Sequence, residues 1–94
     1  MPFDLTSRVT VPPDVLVQDL QGESVILNVE SGRYFGLDEV GTRMWAVLTT
    51  AESLHSACET LAGEYEVDRE RLERDLVALV EKLVEHQLVE VHVG

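Results

Sequence analysis

The sequence predicts an α+β domain in which a three-stranded antiparallel sheet is followed by three helices, and three observations carry that prediction. Val25, Leu27 and Val29 alternate with Ile26 and Asn28, the period of two that gives a pleated strand one apolar row on each side. The aromatic and apolar run Tyr34-Phe35-Gly36-Leu37 follows Glu30-Ser31-Gly32-Arg33, where Gly32 can take the positive φ that a tight hairpin needs. From Asp38 the apolar residues change to helical spacing, with Val40, Met44, Trp45 and Leu48 in phase and Asp38 placed to cap the helix.

The remaining elements follow in order. Met1 to Pro13 lacks periodicity, and Pro12-Pro13 offers no backbone N–H, so a loose arm is expected over residues 1–13 and a domain over 14–94. Val15 to Leu20 reads as a first strand and Gln21-Gly22-Glu23-Ser24 as the turn into the hairpin. After the first helix, Ser53 can cap a second whose Leu54, Ala57, Cys58 and Leu61 share a face, with Gly63 expected to end it. Tyr65 and Val67 are expected to pack down, and Asp68 to cap a long helix from Arg69 to about Gln87. An i,i+4 pair of Glu70 with Arg74 supports that helix. The alternating tail Leu88 to Val93 can add a short terminal strand.

Composition bounds the function. With 94 residues the chain buries roughly 60–65% of the surface its unfolded form exposes, enough for one core. No run approaches the ~20 apolar residues of a membrane span, and the first residues lack the features of a secretory signal. A cytoplasmic location without membrane contact is expected. Seven Lys and Arg against 18 Asp and Glu give a formal charge of −11, which argues against nucleic acid as partner and leaves a protein or peptide. Cys58 is the only cysteine, which excludes an internal disulfide; its apolar neighbours make it a small core residue.

Two surfaces exceed what the core requires. On the long helix Leu72, Leu76, Leu79 and Leu83 form a stripe flanked by Val80, Val84 and Val77; the arc spans roughly 160°, against the ~100° that suffices to lay a helix on a core. If the strands pair in sequence order, Arg33 to Leu37 forms an edge with unpaired backbone groups, guarded by one charge and opened by Gly36.

These residues resemble a family. Asn28 through Trp45, with a polar turn ending in glycine, an aromatic strand, Leu-Asp, glycine and tryptophan, is similar to the PqqD-like peptide-recognition domain of ribosomal peptide-modification pathways. The short chain is most similar to the stand-alone leader-binding protein of lasso-peptide pathways. The resemblance covers about Val15 to Val91 and implies a winged helix-turn-helix-like fold, no catalysis and no cofactor. It implies capture of a precursor's leader segment as an added strand, β-augmentation, beside a groove closed by the last helix. Carried over by position, the strand contribution falls on Arg33, Tyr34, Phe35, Gly36 and Leu37, and the helix contribution on Arg71, Asp75, Leu76, Leu79, Lys82 and Leu83. The implied leader carries a Tyr-x-x-Pro-x-Leu type pattern, and the implied partners are a leader peptidase and a cyclase. The other family role is a PqqD-type peptide chaperone for a radical SAM or other modifying enzyme.

Each of these residues also has a plainer reading. Leu76, Leu79 and Leu83 suit an ordinary core; one of Tyr34 and Phe35 must face inward, because successive strand side chains alternate; Arg71 and Asp75 can pair on the surface. His55, His86 and His92 are scattered without metal-ligand spacing, Ser53 near His55 is no catalytic arrangement, and Gly32, Gly36 and Gly41 lack the lysine of a phosphate loop. Gly41 reads as a close-packing point. The rivals from other classes are a small winged-helix transcriptional regulator and a subunit that only bridges larger enzymes; against the first, the helix Leu54 to Ala62 has no lysine or arginine.

Overall fold

Two tight turns build the sheet of this computed structural model, which describes residues 5–93. In chain order the elements are β1 (Arg8–Thr10), β2 (Val15–Leu20), β3 (Glu23–Asn28), β4 (Tyr34–Leu37), α1 (Glu39–Leu48), α2 (Leu54–Glu64), α3 (Arg69–Glu85) and β5 (Glu90–His92). The expected sheet and the three helices after it are present, with β2-β3-β4 antiparallel in sequence order. The first turn is shorter than expected: Leu20 pairs with Glu23, and only Gln21 (φ 57°) and Gly22 (φ 92°) lie between them. Positive φ at both central residues matches the right-handed twist of the strands. The second turn uses Gly32 at φ 77°, as the sequence predicts.

The expected caps hold at two helices. Asp38 accepts from Gly41 N–H at 2.8 Å, and Ser53 accepts from Ser56 N–H at 3.1 Å, each satisfying a donor the first turn leaves free. Asp68 precedes α3 but makes no side-chain cap bond. Gly63 does not end α2; it lies inside the helix, and Tyr65 caps it. Val67 is exposed and does not pack down, whereas Tyr65 lies against the core. On α3 the ion pair is Arg69 with Glu73 at 3.4 Å rather than Glu70 with Arg74.

Three helices cover one face of the sheet. Ile26 and Leu37 meet Met44, Trp45 and Leu48 of α1, then Leu54, Ala57, Cys58 and Leu61 of α2, and Leu72, Leu76, Val80 and Leu83 of α3. Gly41 is the expected close-packing point, since a Cβ there would stand 3.1 Å from Leu37 Cδ2. The opposite sheet face is bare and largely apolar: Leu16, Leu27 and Tyr34 lie in one row across the three strands, with Leu16 58% and Tyr34 67% exposed. Val25 and Leu20 extend it.

The N-terminal stretch departs from the expected loose arm. Residues 1–4 lie outside the described residues, but Val9 is buried and β1 pairs antiparallel with β5, Val9 opposite Val91. Just before it, Ser7 O and Leu5 O accept from Leu54 and His55 N–H, both at 2.8 Å, so this segment supplies acceptors for the free first turn of α2. The expected terminal strand is β5.

Candidate functional site

The register of the hairpin decides which backbone groups of β4 are free. Asn28 N–H donates to Arg33 O at 2.8 Å, so Asn28 and Arg33 are a hydrogen-bonded pair, and alternation makes Ile26·Phe35 and Ser24·Leu37 the next ones. Tyr34 and Gly36, opposite Leu27 and Val25, fall between. Their N–H and C=O groups therefore point away from β3, and β4 is the last strand of its sheet. At Gly36 no atom stands within 4 Å of where a Cβ would be. A strand laid along this edge meets no side chain at that position.

Pleat alternation then divides the side chains. Phe35 and Leu37 face the helices, with Leu37 buried and Phe35 half-buried, while Tyr34 faces the bare side. Beside Phe35 a cleft of about 430 Å³ opens between β4, the start of α1 and α3. Val40, Met44 and Leu79 line it with Phe35 and Leu37, and Asp38 stands at its rim. It offers an apolar trough next to a row of unpaired backbone groups, the arrangement that binds an extended peptide through its main chain and selects it by alternate side chains.

The predicted residues separate under this geometry. Tyr34, Phe35, Gly36, Leu37 and Leu79 come together at the edge and the cleft. Leu76 and Leu83 are fully buried in the core, out of reach of a ligand in the cleft. Arg71, Asp75 and Lys82 are exposed on α3, and among the described residues their side chains make no hydrogen bond or ion pair, with each other or with any neighbour. Spacing of about 100° per residue places Asp75 and Lys82 on the flank next to Leu79, away from the core, with Arg71 further round. Arg33 lies before β4, and its guanidinium Nη1 donates to Glu85 O at 3.1 Å.

One contributor was missed. His86, seven residues after Leu79 and so nearly in line with it, meets Phe35 edge to face with ring centroids 5.3 Å apart. Its Nδ1 lies 2.9 Å from Lys82 O; a carbonyl only accepts, so that nitrogen carries the hydrogen. The i,i+7 spacing from Leu79 was the available signal. Helical spacing puts Val40 and Met44 on the apolar face of α1, but Val40 is exposed beside the cleft, and Val47 is buried instead.

A second cleft, about 480 Å³, lies between the hairpin turn, the end of α3 and β5. Asp14, Glu30 and Glu90 at its walls make it a poor receiver of an apolar peptide. Among the described residues no group of three or more His, Cys, Asp or Glu could hold a metal ion, and no helix is long and apolar enough to cross a membrane.

The family model described as coenzyme PQQ synthesis protein D (PqqD) matches residues 23–89, from β3 to the end of α3 and just beyond. The solved structure of TbiB1 in complex with the TbiA(beta) leader peptide is 33% identical, covers 86% of this chain and 94% of its own, and superposes with a TM-score of 0.79. That of a lasso peptide synthetase B1 complexed with the leader peptide is 29% identical, covers 88% and 98%, and has a TM-score of 0.78. No curated protein matches. The chain belongs to the PqqD family, as the pattern from Asn28 to Trp45 implied.

Proposed function

We propose that this chain is a non-enzymatic adaptor that binds the leader segment of a ribosomally synthesised precursor by strand addition to β4, and presents the attached core peptide to a leader peptidase and a cyclase of lasso-peptide biosynthesis. The observation that carries the reading is the free edge at Tyr34 and Gly36 running beside the cleft lined by Phe35 and Leu79. Both solved structures above hold a leader peptide, and one of them is a lasso peptide synthetase B1. That favours the lasso role over a chaperone for a radical SAM enzyme. The benefit of such an adaptor is proximity: tethering the leader raises the local concentration of the core at the processing enzymes.

The test is fluorescence polarisation with labelled TbiA(beta) leader peptide and a scrambled version. Saturable binding of the intact peptide alone is expected, and equal or absent response to both peptides would overturn the reading. Phe35→Ala and Leu79→Ala are each expected to weaken binding by about tenfold, or ~1.4 kcal/mol, in a chain that remains folded. Unchanged affinity in both folded variants would remove the cleft from the site.

A further inference from the structure

Three consecutive residues at the end of α3 are each held by the β3–β4 hairpin. Arg33 Nη1 donates to Glu85 O at 3.1 Å, the Phe35 ring meets His86, and Asn28 Nδ2 donates to Gln87 O at 2.7 Å. Glu85 O is among the carbonyls a helix end cannot satisfy itself, and Gln87 O lies just past the cap. Gln87 and Leu88 N–H already take Val84 O and Leu83 O, the two bonds of a Schellman closure, with Gln87 in the left-handed region at φ 60°. Glu85 O is left over and takes its donor from Arg33, and Gln87 O, one residue past the cap, takes its donor from Asn28. Asn28 is suited to this by its own setting: it is 9% exposed, its Oδ1 accepts from Ser31 N–H at 3.0 Å, and its backbone pairs with Arg33 and Gly32. Both ends of the side-chain amide are therefore engaged, with the N–H₂ aimed at the helix end.

The opposite end of the cleft is held differently. Among the described residues no hydrogen bond or ion pair joins residues 34–48 to α3; the contact there is apolar, through Leu79 and Met44. The trough between β4 and α3 is thus fastened by directional bonds at one end and by packing alone at the other. We infer that Asn28 and Arg33 are positioning residues, a two-bond latch between the hairpin and the last turn of α3 that sets the width of the peptide groove. The inference rests on the leader-binding reading and gives Arg33 a role other than direct contact. Loss of the latch lets the hairpin tip swing, so the groove geometry that accepts a leader becomes one of several, and apparent affinity falls by the fraction of chains that keep it.

Asn28→Asp keeps the acceptor for Ser31 N–H and removes the donor to Gln87; Arg33→Met keeps the aliphatic stem and removes the guanidinium. Each is read against the parent chain in two ways, well below its own melting temperature so that a mere loss of stability leaves the folded fraction unchanged. Polarisation with the TbiA(beta) leader is expected to show about threefold weaker binding for Arg33→Met and about tenfold for the double variant. Spin labels on cysteines placed at exposed Glu30 and Glu81 report the hairpin-to-helix distance without ligand, Cys58 being fully buried; a narrow distribution in the parent is expected to broaden in either variant. Unchanged affinity with an unchanged distribution overturns the latch, as does weaker binding with an unchanged distribution. Should Asn28→Asp fail to fold, Arg33→Met, at an exposed site, decides alone. Should the parent take no leader, the leader-binding reading falls and the distance measurement still decides the latch.

Discussion

At the scale of single residues, the alternation of β4 makes Gly36 and Phe35 opposite in consequence though adjacent in sequence. Gly36 N–H points to the open edge, whereas Phe35 N–H is spent on β3. Proline lacks the N–H and holds φ near −65°, which an edge strand tolerates. Gly36→Pro is therefore expected to leave the melting temperature within a few degrees of the parent and to reduce leader affinity by at least tenfold, the worth of about one lost bond to the incoming strand. Circular dichroism melting beside polarisation checks it; full affinity in the proline variant would mean that the leader does not pair with β4. Gln87 offers a second single-residue test. A non-glycine residue at positive φ costs about 1–2 kcal/mol, and glycine is the usual occupant of this helix-closing position. Gln87→Gly keeps the carbonyl that Asn28 grips, and is expected to raise the melting temperature by roughly 4 °C. A fall would show that the Gln87 side chain supplies more than its backbone strain removes.

At the scale of elements, α1 and α2 are joined at the surface by Arg43 and Glu64, two parallel bonds of 2.7 and 2.5 Å. The hydrogen bonds and charge of Arg43 hold the Glu64 carboxyl below its ordinary value, and Glu64 raises Arg43 in turn. A carboxyl depressed in the folded state contributes stability above its unfolded pKa of about 4.3, and that contribution is lost as pH falls through the lower folded value. Glu64→Gln is expected to melt slightly below the parent at pH 7 and together with it near pH 2; a gap that persists in acid would trace to packing instead. The pair spans 21 residues and no local pattern announces it. The same limit explains what the sequence left illegible. Strands β2, β3 and β4, the caps Asp38 and Ser53 and the buried face of α2 depend on neighbours within a few positions, so periodicity and turn chemistry reveal them. β1 has three residues and pairs with β5 some 82 positions away, Thr10 Oγ1 bonding His92 Nε2, which no local pattern encodes. Gly63 looks like a stop because glycine usually follows a helix, but the helix runs one residue further, to Glu64, which pairs with Arg43. In the site, the edge strand was legible from the meander and Leu79 from the stripe. Leu76 and Leu83 could not be separated from Leu79 until α2 and the sheet fixed which side of α3 the core takes.

At the scale of the whole molecule, a sheet with three helices of winged-helix character invites comparison with DNA-binding domains, and charge argues against that use. A protein on duplex DNA gains affinity by placing cations on phosphates and releasing counterions. Here the formal charge is −11, and of the cations that touch α2, Arg43 is engaged with Glu64 and Arg69 with Glu73 at 3.4 Å and Glu59 at 4.0 Å. Repulsion at long range and the pairing of those two cations at short range act in the same direction. A labelled 20-base-pair duplex is expected to give no saturable response even at about 50 mM salt, where such contacts are strongest. Leader capture at the proposed site would rest on backbone pairing and an apolar trough, neither of which releases many ions, so its affinity is expected to change by less than about threefold between 50 and 500 mM salt. Steep weakening of leader binding over that range would shift the weight from Phe35 and Leu79 to Arg71, Asp75 and Lys82, whose side chains are unpaired among the described residues. Duplex binding that falls steeply with salt would return the fold to a regulator's use, with the free edge of β4 then serving some other strand.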